Sequence, residues 1–198
     1  MIKGRPAALI LAGGRAERLG GAEKPLLPIG ERTILERILT VIADETSAVA
    51  LSANGDPARF ASFGLPVLPD GRFFGQGPLA GLLAGLEWAA SLGAATLLSI
   101  PGDTPFLPKR LATRLAPAPS FAASGGRAHY LVALWPLTVR AALAERLTVP
   151  GPRSVARFAA EIGSRIVEFP AEPQSELFFN INTPADLARA RAMVAAKG

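Results

Sequence analysis

LILAGGRAERLGGAEKP, residues 9–25, passes directly from an apolar run into a glycine loop carrying Arg15, Arg18 and Lys24. The apolar run starts at Pro6 and ends at Leu11. Its unbroken hydrophobicity, bounded by Pro and Gly, predicts a strand buried on both faces of a parallel sheet. Glycines after such a strand let backbone N–H groups turn towards an anion. Arginine can grip two phosphate oxygens at once, and lysine makes a point contact. The pattern, LAGGxxxRxGxxxK, is neither the GxGxxG of dinucleotide-binding strands nor a loop ending in GK[ST]. A surface turn with solvated arginines is the alternative. A buried strand, paired glycines and three cations in one loop favour a phosphate cradle.

Outward from this loop, strand and helix signals alternate. Thr33-Ile-Leu-Glu36 has the form of a capping box, and Ile34, Leu35, Ile38, Leu39 and Ile42 make one apolar stripe, predicting a helix from Thr33 to Ala43. Strands are expected at 49–52 and 65–68. Gly77-Pro78 opens a second helix that Gly93 stops, and 96–100 is a further strand. Pro108 is read as the start of another helix. Strands at 121–124 and 130–135 suggest a local antiparallel excursion, followed by helices near 137–147 and 153–162. Short strands at 166–169 and 178–181 precede a terminal helix opened by Pro184. This alternation predicts a three-layer α/β fold, a mostly parallel central sheet with helices on both faces, in a single domain spanning 1–198.

Ligands of such sheets gather at the carboxyl ends of the strands. The glycine loop, Asn54, Asp70 and Asp103 all fall just past a proposed strand end. Asp103, in IPGDTPFLP, reads either as the cap of the next helix or as a Mg²⁺ ligand. Magnesium often takes one or two protein carboxylates and leaves the rest to phosphate. A phosphate loop on the same rim favours the metal. Asn54-Gly55 and Pro69-Asp70-Gly71 are turn signals in their own right. His129, the one histidine, has no suggested nucleophilic partner, which excludes a Ser-His-Asp hydrolase. In Asn180-Ile-Asn182-Thr183-Pro184, Asn182 or Thr183 is expected to cap the last helix.

The chain has 198 residues, 49% apolar and 19% charged, enough for a full core and unlike a disordered protein. It has no cysteine, so disulfides, thiolate nucleophiles and thiolate metal sites are excluded, in keeping with a reducing cytoplasm. The net charge of +5 suits an anionic partner. The arginines are scattered and the aromatics are not interleaved with them, so a small phosphorylated ligand is expected and no nucleic acid. The run 7–12 is too short for a signal peptide. Residues 77–100 carry Glu87 as their one charge, but Gly85, Gly93 and a change of period predict a helix then a strand, with no membrane span.

Taken together, LAGGRAERLGGAEKPLL, GPLAGLLAGL, IPGDTPFLP and NINTPADL resemble the molybdenum cofactor guanylyltransferases, the MobA-type branch of the nucleotidyltransferase superfamily. The resemblance implies a Rossmann-like nucleotidyltransferase fold and Mg²⁺-dependent transfer of GMP from GTP to Mo-molybdopterin, releasing pyrophosphate. It implies that Leu11, Ala12 and Gly13 contact the guanine and ribose and that Lys24 holds the triphosphate, while the loop read as a phosphate cradle adds Gly14, Arg15 and Arg18 to the candidate contacts. Asn54 and Asp70 would take nucleotide-binding positions and Asp103 the metal. Gly81, Asn180 and Asn182 would lie towards the pterin. Molybdoenzymes and their chaperones are the implied protein partners. Glu23 stands where aspartate is usual, Gly102 where some relatives have cysteine, and His129-Tyr130 where His-Pro is frequent. Cytidylyl transfer to molybdopterin, nucleotidyl transfer to a sugar phosphate, and a non-catalytic nucleotide sensor remain open alternatives.

Overall fold

The computed structural model describes residues 4–13, 23–170 and 176–196. Nine strands occur among them: β1 (Ala7–Leu11), β2 (Pro28–Ile29), β3 (Arg32–Thr33), β4 (Ala48–Ser52), β5 (Val67–Leu68), β6 (Thr96–Pro101), β7 (Ser120–Ser124), β8 (Arg127–Pro136) and β9 (Arg165–Phe169). The helices are α1 (Ile34–Ile42), α2 (Pro78–Ser91), α3 (Leu111–Leu115), α4 (Arg140–Thr148), α5 (Val155–Glu161) and α6 (Pro184–Ala195). Seven strands make one sheet in the order β5-β4-β1-β6-β8-β7-β9, while β2 and β3 form a separate small hairpin. β1 lies between β4 and β6 and runs parallel to both, with Ala7 opposite Ala48 and Leu97. β8 runs antiparallel to β6 and β7, so the antiparallel excursion read from the sequence is present.

Both faces of the sheet are covered, which is why β1 is apolar at every position. Ala8 and Ile10 point into a core shared with Ile34, Leu35, Ile38 and Ile42 of α1 and Leu111 and Leu115 of α3. Ala7 and Leu9 point the other way, towards Leu79, Leu82, Leu83 and Leu86 of α2, Leu143 of α4 and Phe158 of α5. The three layers follow. The Thr33 capping box is present, with the Glu36 amide donating to Thr33 Oγ1 at 3.2 Å and the Thr33 amide donating to Glu36 Oε2 at 2.7 Å. Thr183 caps α6 in the same way, with Asp186 as its partner.

Two expectations need correction. The helix after Pro108 begins at Leu111, because Arg110 is left-handed (φ 60°) and cannot be helical. Residues 178–181 form no strand. Phe178 also has positive φ (63°), and its amide donates to the Phe106 carbonyl at 2.9 Å. The Ile181 amide donates to the Asp103 carbonyl at 3.0 Å. Phe178 and Ile181 are buried, but under the 103–106 loop and not within a ladder.

α2 lies unusually close to the sheet. A Cβ at Gly85 would sit 2.5 Å from Leu9 Cδ2, and one at Gly81 would collide with Ser52 Oγ. The glycines thus form a groove that receives β1 and β4. Gly81→Ala is expected to lose about 1–3 kcal/mol of stability through overpacking. Adding Ser52→Ala should recover part of that loss in a denaturant titration. An unchanged midpoint for Gly81→Ala would show that the groove is not needed.

Candidate active site

The carboxyl ends of β1, β4 and β6 open onto a cleft of about 970 Å³. The strand ends are tied to one another beyond the ladders. The Gly102 amide donates to the Leu11 carbonyl and the Ala12 amide to the Ser52 carbonyl, each at 2.9 Å. Lys24 begins a single 3-10 turn, Lys24–Leu26, whose Pro25 is buried. A Cβ at Gly102 would lie 2.9 Å from Pro25 Cγ and 3.0 Å from the Leu11 carbonyl oxygen. The proline therefore docks against a position where any side chain would push it outward, and this docking places Lys24 over the end of β6.

There Lys24 Nζ lies 3.4 Å from Asp103 Oδ2 and donates to Asn182 Oδ1 at 2.5 Å. Asn180 Nδ2 donates to Asp103 Oδ1 at 2.9 Å, and Thr104 Oγ1 approaches the same oxygen at 3.4 Å. Asp103 is no helix cap, since α3 starts at Leu111. The Lys24 and Asp103 side chains are 17% and 19% exposed, so this ion pair is only partly screened by water. It is a self-satisfied resting arrangement. A triphosphate carries denser negative charge than one carboxylate, so the ammonium can exchange Asp103 for phosphate oxygens.

Asn54 and Asp70 form a reciprocal pair on the β4–β5 side of the cleft. Asn54 Nδ2 donates to Asp70 Oδ2 at 2.7 Å, and the Asp70 amide donates to Asn54 Oδ1 at 3.0 Å. They are thus turn residues that also join the ends of β4 and β5. Sequence reading missed Arg59, which fixes this turn. Its Nη2 donates to the Asn54 carbonyl at 2.6 Å, its Nη1 to the Asp56 carbonyl at 3.0 Å, and its Nε lies 3.1 Å from Glu23 Oε1. Leu11, Ala12, Gly13, Gly81 and Asn180 line the same cleft. Asn182 reaches it through Lys24, so both asparagines meet the charged pair. Gly14, Arg15 and Arg18 lie outside the described residues.

His129 packs against Phe178, ring centroids 5.0 Å apart. Burial, with the Arg127 charge, lowers its pKa to about 4, so it is neutral at pH 7 and adds no positive charge for phosphate. Among the described residues no three His, Cys, Asp or Glu cluster as a metal cage. A single carboxylate, with lone pairs left after its bonds to Asn180 and Thr104, fits a magnesium ion brought mainly by phosphate. No helix among the described residues is long and apolar enough to cross a membrane.

Residues 8–165 match the family model of the MobA-like NTP transferase domain. The chain is 57% identical over 185 residues to a molybdenum cofactor guanylyltransferase of Acidiphilium cryptum, covering 93% of each. It is 46% identical over 197 residues to one of Rhodopseudomonas palustris, covering 95% of this chain and 92% of the other. In structure it is similar to molybdopterin-guanine dinucleotide biosynthesis protein A of Archaeoglobus fulgidus, with a TM-score of 0.70 at 20% identity, over 97% of this chain and all of that one.

Proposed function

This chain belongs to the MobA-like NTP transferase family, and from that premise we propose that it transfers GMP from GTP to Mo-molybdopterin. The products are the guanine dinucleotide cofactor and pyrophosphate. The observation that carries the reading is the meeting of Lys24 and Asp103, 79 positions apart in sequence, at one edge of the cleft. Relatives named guanylyltransferases over nearly the whole chain support the choice of base and acceptor.

The attacking atom is an oxygen of the acceptor's terminal phosphate, anionic at neutral pH. No general base is needed, and His129 is not among the residues that line the cleft. The new bond forms from that oxygen to the α-phosphorus of GTP. The bond from the α-phosphorus to the bridging oxygen breaks, and the electron pair leaves with pyrophosphate. In-line approach is the expected geometry. Bringing two polyanions together is the main barrier, so positioning and charge neutralisation dominate. Lys24 binds the triphosphate, and Asn182 steadies the ammonium until it does. Asp103, oriented by Asn180, would hold Mg²⁺, which when bound neutralises charge on the phosphate oxygens. Asn54 and Asp70, held by Arg59, shape the nucleoside side. We place the reaction in the cytoplasm, with molybdoenzymes or their chaperones receiving the product.

Pyrophosphate release from GTP, CTP, UTP and ATP, with and without molybdopterin, tests this. Release is expected with GTP and only when the acceptor is present. Equal release with CTP would reassign the base. Nucleotide binding with no release under any condition would make the protein a sensor.

A further inference from the structure

We infer that Phe74 is an aromatic platform that stacks on the base of the bound nucleoside triphosphate. This rests on the nucleotide-binding half of the function proposed above. Phe74 is 71% exposed, more than any other large apolar side chain among the described residues, and it lines the cleft shared by Asn54, Asp70 and Lys24. An isolated surface phenylalanine needs no explanation, but this one is displayed by a built support. The single turn Gly71–Phe73 springs from Asp70. The Phe73 amide donates to the Asp70 carbonyl at 3.1 Å, and the Phe74 amide to the Gly71 carbonyl at 3.2 Å. Phe73 is buried in the core beneath α2, with the Arg72 guanidinium 4.8 Å over its ring. One phenylalanine anchors the turn, and the next faces the cleft.

The far side of the platform is fixed too. Gly75 and Gly77 have positive φ (81° and 73°), flanking Gln76. The Gln76 amide donates to the Phe73 carbonyl at 3.1 Å, and its Oε1 accepts from Arg153 Nε at 2.6 Å. Arg153 spends its other donors on the carbonyls of Arg146, Leu147 and Val149 at the end of α4. The segment is thus clamped between Asp70 and α4 while the ring stays open.

The position within the cleft selects the base over the acceptor. Phe74 hangs from Asp70, which is locked to Asn54 on the β4–β5 side. The charged pair and the two asparagines stand at the end of β6. Every base has a π face, so stacking gives affinity without choosing among bases. Selection of guanine falls to the hydrogen-bonding groups around it.

The test is calorimetric binding of GTP, CTP, ATP and inorganic tripolyphosphate to the wild type, Phe74→Ala and Phe74→Trp. Phe74→Ala is expected to weaken GTP about 5- to 100-fold and to leave tripolyphosphate unchanged. Phe74→Trp should restore GTP affinity, with indole fluorescence quenched on binding. Unaltered GTP affinity in Phe74→Ala overturns the inference. So does an equal loss for tripolyphosphate, or an effect confined to the KM for molybdopterin. If the wild type prefers another base and Phe74→Ala weakens that nucleotide, the platform stands and guanylyl transfer falls. If the wild type binds no nucleotide, both fall.

Discussion

Asp103→Asn is expected to lower kcat by about 10²- to 10³-fold, of the order found when one preorganised oxyanion-hole donor is removed from an enzyme. The substitution keeps the shape of the side chain. Its amide oxygen can still accept from Asn180, which now donates to Asp103 Oδ1. What changes is charge: the amide nitrogen would replace the oxygen that faces Lys24. The magnesium concentration for half-maximal rate should rise, and excess magnesium should recover only part of the rate. Thermal stability should move little, because a partly exposed ion pair contributes about 0–1 kcal/mol. Turnover like the wild type at ordinary magnesium would remove Asp103 from the chemistry and leave it as a loop residue.

The second large effect is expected from Lys24→Met, which keeps the aliphatic stem and deletes the ammonium. kcat/KM for GTP should fall by about 10²- to 10³-fold, with weaker triphosphate binding as part of the loss. The turn itself should survive, since Pro25 and Gly102 make the docking contact without the lysine head. A second readout separates this role from a structural one. Lys24 is the counter-charge of Asp103 in the free protein. Its removal should therefore make the nucleotide-free protein bind divalent cations more tightly, while GTP binds less tightly. Movement of both affinities in the same direction would contradict the exchange of partners described for the ammonium.

What could be read from the sequence was what is encoded locally. β1 announced itself because a strand covered on both faces has no polar position to spare. The Thr33 box was legible because capping depends on residues three apart. Lys24, Asp103, Asn54 and Asp70 could be assigned to one rim because strand polarity sets where loops emerge. Arg59 was not legible: its carbonyl partners at 54 and 56 are created by the turn, and many arginines in the chain give no sign of which one turns inward. The bonds from Asn180 and Asn182 to residues 77 and 158 positions away leave no periodic trace either. The strand expected at 178–181 failed for a related reason. Burial there comes from a loop, and alternation of apolar residues does not distinguish the two sources of cover.

The reversed course of β8 has a corollary for how such molecules diversify. Leu131 enters the cavity wall from a strand travelling against its neighbour β6. β8 is joined to β7 through Gly125 and Gly126 as a hairpin flap. A hairpin of this kind can change length without altering any strand-to-helix crossover of the sheet. Variation in its length would reshape the β8 side of the cleft wall and leave the ends of β1, β4 and β6 in place.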